Sequence, residues 1–162
     1  DRYARHIETG ETLPRDWLAA LKADRQFHGA LALLRQIEFA LCDLRLHAST
    51  EAIDPISVQD DVRARTAVIP AIEDNRFLMS FSHLFNGGYA AGYYSYLWAE
   101  RLARDAFEWF GEQGLFEREA GQHLAAEILS VGSTRPMAES WHAFRGQPPR
   151  LEPLLDAYGI AA

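Results

Sequence analysis

The residues best able to do chemistry in this sequence crowd into FSHLFNGGYAAGYYSYLWAE, Phe81 to Glu100. One histidine, His83, precedes the adjacent pair Gly87 and Gly88, and four tyrosines follow within eight residues. A buried phenol must find a hydrogen-bond partner, so a core would fill such a stretch more simply with Leu and Phe. Tyr89, Tyr93 and Tyr96 fall at i, i+4 and i+7, which on a helix puts all three on one side. A phenol O–H is a neutral, directional donor. Held rigid beside a carbonyl under attack, it stabilises the oxyanion that develops, and loss of one such donor typically slows turnover about 10²- to 10³-fold. His83 can add a second donor or grip a substrate. The paired glycines let backbone approach a ligand closely, or let the loop move when one binds. The same letters also describe a half-buried tyrosine face with its hydroxyls in water, a packed histidine and a plain turn. Spacing alone does not choose between the two.

Other polar candidates carry less. The six histidines (His6, His28, His47, His83, His123, His142) contain no i, i+4 pair, and no H-E-x-x-H occurs, so no helical metal clamp is encoded. Ser133 lacks a nucleophile-elbow context. Asp43 and His47 are i, i+4 and read as a surface or interhelix hydrogen bond, and His123 with Glu127 reads the same way. Cys42 is the single cysteine, set in an apolar run, and reads as a packed, inert thiol.

Helices must position the tyrosines, because no alternating apolar and polar segment is long enough for a strand. Pro14 opens a helix through Trp17, Leu18 and Leu21. Phe27, Ala30, Leu31, Leu34, Ile37, Leu41 and Leu44 recur at helical spacing, and the helix they mark ends near residues 47–50. Asp54-Pro55 is a cap followed by a first-turn proline, opening a helix to about Thr66. Residues 68–88 read as loop with short helical turns, punctuated by Pro70 and the glycine pair. A long helix is expected from Gly88 to a stop at Gly114, with Tyr94, Trp98, Leu102 and Phe107 on its buried side. FEREAGQHLAAEILSV, PMAESWHAF and PRLEPLLDAY supply three further helices, whose Glu and Arg residues read as solvated faces. The expected fold is all-α, one multi-helix domain over residues 1–162.

Composition fits that picture: 162 residues, 48% apolar and 24% charged, are enough for a core. A net charge of -7 with no concentrated basic run argues against nucleic acid as a partner. No apolar run approaches membrane-spanning length, and no signal peptide is visible. The chain opens DRYARHIETG without an initiator Met, which suits part of a longer polypeptide.

The tyrosine block resembles the C-terminal part of the zinc oligopeptidases, the family of thimet oligopeptidase, oligopeptidase A and dipeptidyl carboxypeptidase. TGETLP, FHGALALLRQIEFALCDLRLH, WAERLARDAFEWF, EILSVGS and PLLDAYGI follow the family's order, so the likeness spans nearly the whole chain. The resemblance implies a helical cytoplasmic metallopeptidase, a hydrolase whose deep channel admits short peptides. It implies that His83, Tyr89 and Tyr96 stand at the reaction centre, with Tyr96 as oxyanion donor. Gly87, Gly88 and Tyr93 would contact substrate. In the family, zinc is held by the two histidines of H-E-x-x-H and a downstream glutamate, and the motif's own glutamate activates water. None of these lies in this chain. The expectation is therefore a fragment with no metal ligand of its own, inactive alone and completed by an N-terminal part of the same polypeptide. The apolar face left bare would favour self-association. The alternative is a non-catalytic helical module that binds peptides.

Overall fold

The computed structural model describes residues 4–161, and among them the regular elements are helical. Eight α-helices follow one another: α1 (Arg15–Gln26), α2 (Gly29–Ala48), α3 (Pro55–Thr66), α4 (Phe77–Ser80), α5 (Ser95–Gln113), α6 (Arg118–Leu124), α7 (Met137–Arg145) and α8 (Glu152–Ala157). A 3-10 turn, Ser82–Leu84, follows α4, and a π turn, Ala125–Leu129, continues α6. The all-α expectation holds.

Local signals explain most boundaries. Asp54 caps α3 by accepting the amide N–H groups of Ile56 and Ser57 at 3.2 and 3.1 Å, with Pro55 in the first turn. Gly114 follows the last residue of α5. Between α1 and α2 the chain turns through His28 in the left-handed region. Gly29 is then obligatory for packing, because the carbonyl of Tyr158 occupies the place where a Cβ would stand. Nearby, Gln26 Nε2 donates to the Asp156 carbonyl at 2.9 Å, so the α1–α2 corner and the end of α8 are tied together.

The core lies between α2, α3 and α4. Cys42, Val62, Leu78, Phe81 and Leu84 are buried there, with Phe39, Leu41, Leu46, Phe77 and Tyr93 against them. Phe39, Phe77 and Phe81 stack at 4.4 to 5.2 Å between ring centres, and the Arg35 guanidinium lies 4.3 Å over Phe39. The Cys42 thiol is packed as expected. Burial, with the Glu38 carboxylate adding, pushes its pKa up to about 11.

A second packing unit joins α5 to the chain's end. Asp105, 0% exposed, accepts from Arg145 Nε at 3.1 Å and from the Arg150 amide at 2.8 Å. Arg101 donates to the carbonyls of Pro149 and Arg150. Arg135 bonds both Glu127 and buried Ser140. The Glu and Arg residues of these helices are thus not uniformly solvated: the Arg145 side chain, at the end of α7, is interior against Asp105. His123 and Glu127 do not pair, because His123 Nε2 meets the Phe144 carbonyl and Glu127 meets Arg135.

The α5 region departs from expectation at its start. Residues 89–94 form a turn, and the helix begins only at Ser95. Tyr94, Trp98 and Phe107 are not core residues. They are 46%, 55% and 63% exposed, while Leu102 is half-buried. The sequence reading assumed that apolar rings would be covered by the chain itself, and here they are not.

Candidate active site

The site begins with a strained turn. Gly87 and Gly88 take φ of 71° and 77°, a conformation that a side chain disfavours, and they reverse the chain after the 3-10 turn that carries His83. Ala91 follows at φ 55° despite its Cβ. Short-range bonds then wind the chain toward α5: the Gly92 amide donates to the Tyr89 carbonyl at 2.7 Å, Ser95 to Gly92 at 3.0 Å and Tyr96 to Tyr93 at 3.2 Å.

What holds this turn in place comes from α2. The Asp43 carboxylate, 0% exposed, accepts the Ala91 N–H through Oδ1 and the Tyr93 N–H through Oδ2, each at 3.0 Å. His47 Nδ1 lies 3.0 Å from the same Oδ1 and 2.9 Å from the Asp43 carbonyl. Two oxygens can be met only by a donor, so Nδ1 carries the ring proton. Expected as a surface or interhelix hydrogen bond, the Asp43–His47 pair is instead an interior anchor. About two helical turns toward the N-terminus, Gln36 Oε1 accepts the Tyr93 hydroxyl at 2.8 Å. Sequence reasoning missed Gln36 and the burial of Asp43. The available signal was slight: Asp43 follows Leu41 and Cys42 within the apolar stripe of α2, a place where a carboxylate needs a partner.

On this base the four singled-out rings converge. His83 lies 5.2 Å from Tyr89, 5.3 Å from Tyr93 and 6.0 Å from Tyr96. Tyr89 stacks on Tyr96 at 5.4 Å, and Tyr93 meets Tyr96 at 5.2 Å. Buried Phe81 forms the floor, 5.0 Å from Tyr93 and 5.4 Å from His83. The spacing argument foresaw the convergence, but the helix it invoked is absent for two of the three phenols. Gly87 and Gly88 lie on the exposed loop between His83 and Tyr89.

The phenols differ in what they can offer. Tyr96 is 44% exposed. Its pKa is raised, first by a hydrogen bond with the Tyr89 side chain, then by desolvation and the neighbouring phenols, so its proton stays on through the neutral range. Burial also raises the Tyr93 pKa, but its proton is committed to Gln36. Tyr93 therefore has a lone pair, rather than a proton, to spare for a ligand.

Among the described residues, no group of three or more His, Cys, Asp or Glu side chains could hold an ion. His6, His47 and His123 are each turned to protein partners. The residues present do not fit the zinc that the resemblance implies.

Residues 1–160 match peptidase family M3, and the chain belongs to that family. It is 44% identical over 158 residues to oligopeptidase A of Escherichia coli (strain K12), covering 96% of this chain and 23% of that protein. To dipeptidyl carboxypeptidase of Salmonella typhimurium it is 35% identical over 164 residues, covering 99% and 24%. To a thimet-like oligopeptidase of Dictyostelium discoideum it is 31% identical over 150 residues, covering 91% and 22%. The chain thus spans less than a quarter of the length of these relatives.

Proposed function

We propose that this chain is the C-terminal part of the catalytic domain of a zinc-dependent oligopeptidase, supplying the phenol and imidazole wall that receives a short peptide. The observation that carries this reading is the convergence of His83, Tyr89, Tyr93 and Tyr96 on one turn of a family M3 chain.

Tyr96 is the oxyanion donor. Its ring is accessible and its hydroxyl stays protonated; once that hydroxyl turns from Tyr89 to a substrate carbonyl, the hydrogen bond it gives strengthens as the carbonyl oxygen gains charge. His83 and Tyr89 stand close enough to grip the same substrate group. Tyr93, held at both its amide and its hydroxyl, sets the others in place and presents an acceptor. Gly87 and Gly88 let the loop adjust to the peptide. Short peptides are the substrate class, supported by the names of the oligopeptidase relatives.

The metal site lies outside this chain, in an N-terminal part of the same polypeptide, which agrees with the fraction of the relatives that the chain spans. Alone, these 162 residues bind no stoichiometric zinc and cleave no peptide. The exposed rings of Tyr94, Trp98 and Phe107 belong to the faces that this other part covers, and left bare they favour self-association. Nucleic acid and membrane are not partners. Among the described residues, no helix is long and apolar enough to cross a membrane. A cytoplasmic setting suits the single, unpaired cysteine.

Metal analysis and a quenched-peptide assay test this on the isolated chain and on the full polypeptide. The isolated chain should show neither zinc nor turnover, and the full polypeptide should show both. Turnover by the isolated chain overturns the division of labour. Peptide binding without turnover by the full polypeptide points to the non-catalytic module.

A further inference from the structure

We propose that Asp43 is the positioning residue of this site, its carboxylate fixing the turn that aims Tyr89 and Tyr96. The proposal rests on reading the ring cluster as a carbonyl-binding site.

The turn does not hold itself. Gly87 and Gly88 precede it, Gly92 lies inside it, and Ala91 occupies a left-handed conformation that its Cβ disfavours. Its own backbone bonds reach only three or four residues, joining Tyr89 to Gly92, Gly92 to Ser95, Tyr93 to Tyr96 and Tyr94 to Trp98. The restraint that specifies it arrives from 48 and 50 residues away, in the two bonds that Asp43 accepts from Ala91 and Tyr93. These two amides bracket the strained peptide, so one carboxylate holds the left-handed residue and the following turn together.

The anchor is itself fixed. A carboxylate buried from water is tolerated only when its oxygens are met by donors, and here each oxygen accepts one amide, while the His47 imidazole, hydrogen-bonded to the Asp43 carbonyl, lies 3.0 Å from Oδ1. The His47 ring also lies 5.7 Å from Phe85, just ahead of the glycine pair, so His47 and Asp43 together meet the chain on both sides of the glycines. Gln36 and Phe39 extend the grip along α2 to the Tyr93 hydroxyl and ring edge. Tyr89 and Tyr96 have no such clamp from α2 and depend on where the backbone puts them. Asp43 touches none of the rings proposed to meet substrate, so its effect on them passes through the turn.

The test is Asp43→Asn in the full polypeptide. Asparagine keeps the shape but turns a donor toward one of the two amides. A misplacement on the order of 1 Å at reacting groups costs about 10²-fold in rate, so kcat should fall on the order of 10²-fold while KM stays within about twofold. Adding Ala91→Gly should restore kcat about tenfold, because glycine takes the positive φ without help. Unchanged kcat in Asp43→Asn, or a loss that Ala91→Gly does not relieve, overturns the proposal. Hydrogen exchange resolved to single amides gives a reading independent of catalysis. In the wild type, Ala91 and Tyr93 should exchange far more slowly than Gly87 and Gly88. In Asp43→Asn they should lose that protection while Val62 and Leu84 keep theirs. If Asp43→Asn does not fold, the wild-type exchange decides, and unprotected Ala91 and Tyr93 amides overturn the proposal. A wild-type polypeptide without turnover would sink the site reading alone, since the exchange experiment would still report on Asp43.

Discussion

Among the described residues, two aspartates are fully buried, and they do different work. Asp105 on α5 accepts from the Arg145 side chain and the Arg150 amide, locking the segment before α8. Asp43 on α2 accepts from the amides of Ala91 and Tyr93 and faces the His47 imidazole. Each pins a loop about 45 residues away. The difference is in the donors. Asp105 meets a guanidinium that is itself only 6% exposed, so charge is balanced by charge and the product is a rigid joint. Asp43 spends its capacity on neutral amides within a strained turn, and the product is a set geometry for rings that remain partly open to solvent. A buried carboxylate therefore does not announce its role by burial. What it binds, and whether that element carries reactive groups, distinguishes a joint from a positioning device.

The comparison can be broken by substitution. The largest stability loss should come from Asp105→Asn, which leaves the buried Arg145 charge short of a partner. Losing one member of such a pair typically costs 3–5 kcal/mol, and Glu112, 3.4 Å from Arg145, should hold the loss to about 3 kcal/mol in urea unfolding. Asp43→Asn should cost less, about 1–3 kcal/mol, because it strands one neutral amide rather than a charge. Equal losses, or the reverse order, would erase the distinction drawn between the two anchors.

A smaller effect should come from Cys42, which lies one residue before Asp43. Its folded pKa, raised to about 11, lies above that of an unfolded thiol at about 8.5. The sign follows: the stability this neutral thiol contributes is fully present below about pH 8.5 and is lost as pH rises toward its folded pKa. Alkylation at pH 8 should be slow in the native state and fast in denaturant. Rapid native alkylation would mean that the α2–α3 core opens more readily than its packing implies.

The smallest effect is expected at Asp54, remote from both anchors. Hydrogen bonds from the Ser57 side chain and amide, and from the Ile56 amide, lower its pKa. The stability it adds is present above about pH 4, the unfolded carboxylate range, and is lost as pH falls through the depressed value. Asp54→Ala should therefore lower Tm at neutral pH and lose most of that effect in strong acid. An effect independent of pH would mean that the carboxylate is not the cap.

Local chemistry made much of the fold legible. The Asp54-Pro55 cap, the Gly114 stop and the apolar period of α2 each act within a few residues, so the sequence displays them directly. The tyrosine cluster was legible for a partly accidental reason. Tyr89, Tyr93 and Tyr96 have helical spacing, yet the turn that brings them together is held by Asp43 and Gln36 from far along the chain. No periodicity reports such a tether. The burial of Asp43 and Asp105 was hidden in the same way, since a carboxylate reads as solvated until its distant donors are known. Trp98 and Phe107 misled for the opposite reason, because apolar rings at helical spacing read as core, whereas the described residues leave both exposed.

The most direct test of the proposed function is Tyr96→Phe in the full polypeptide, with kcat and KM measured separately on a short quenched peptide. A donor that acts on the developing oxyanion should be missed chiefly in the transition state. The account predicts a fall in kcat of about 10²- to 10³-fold with KM little changed. Full turnover by Tyr96→Phe would contradict it and pass the oxyanion role to another group.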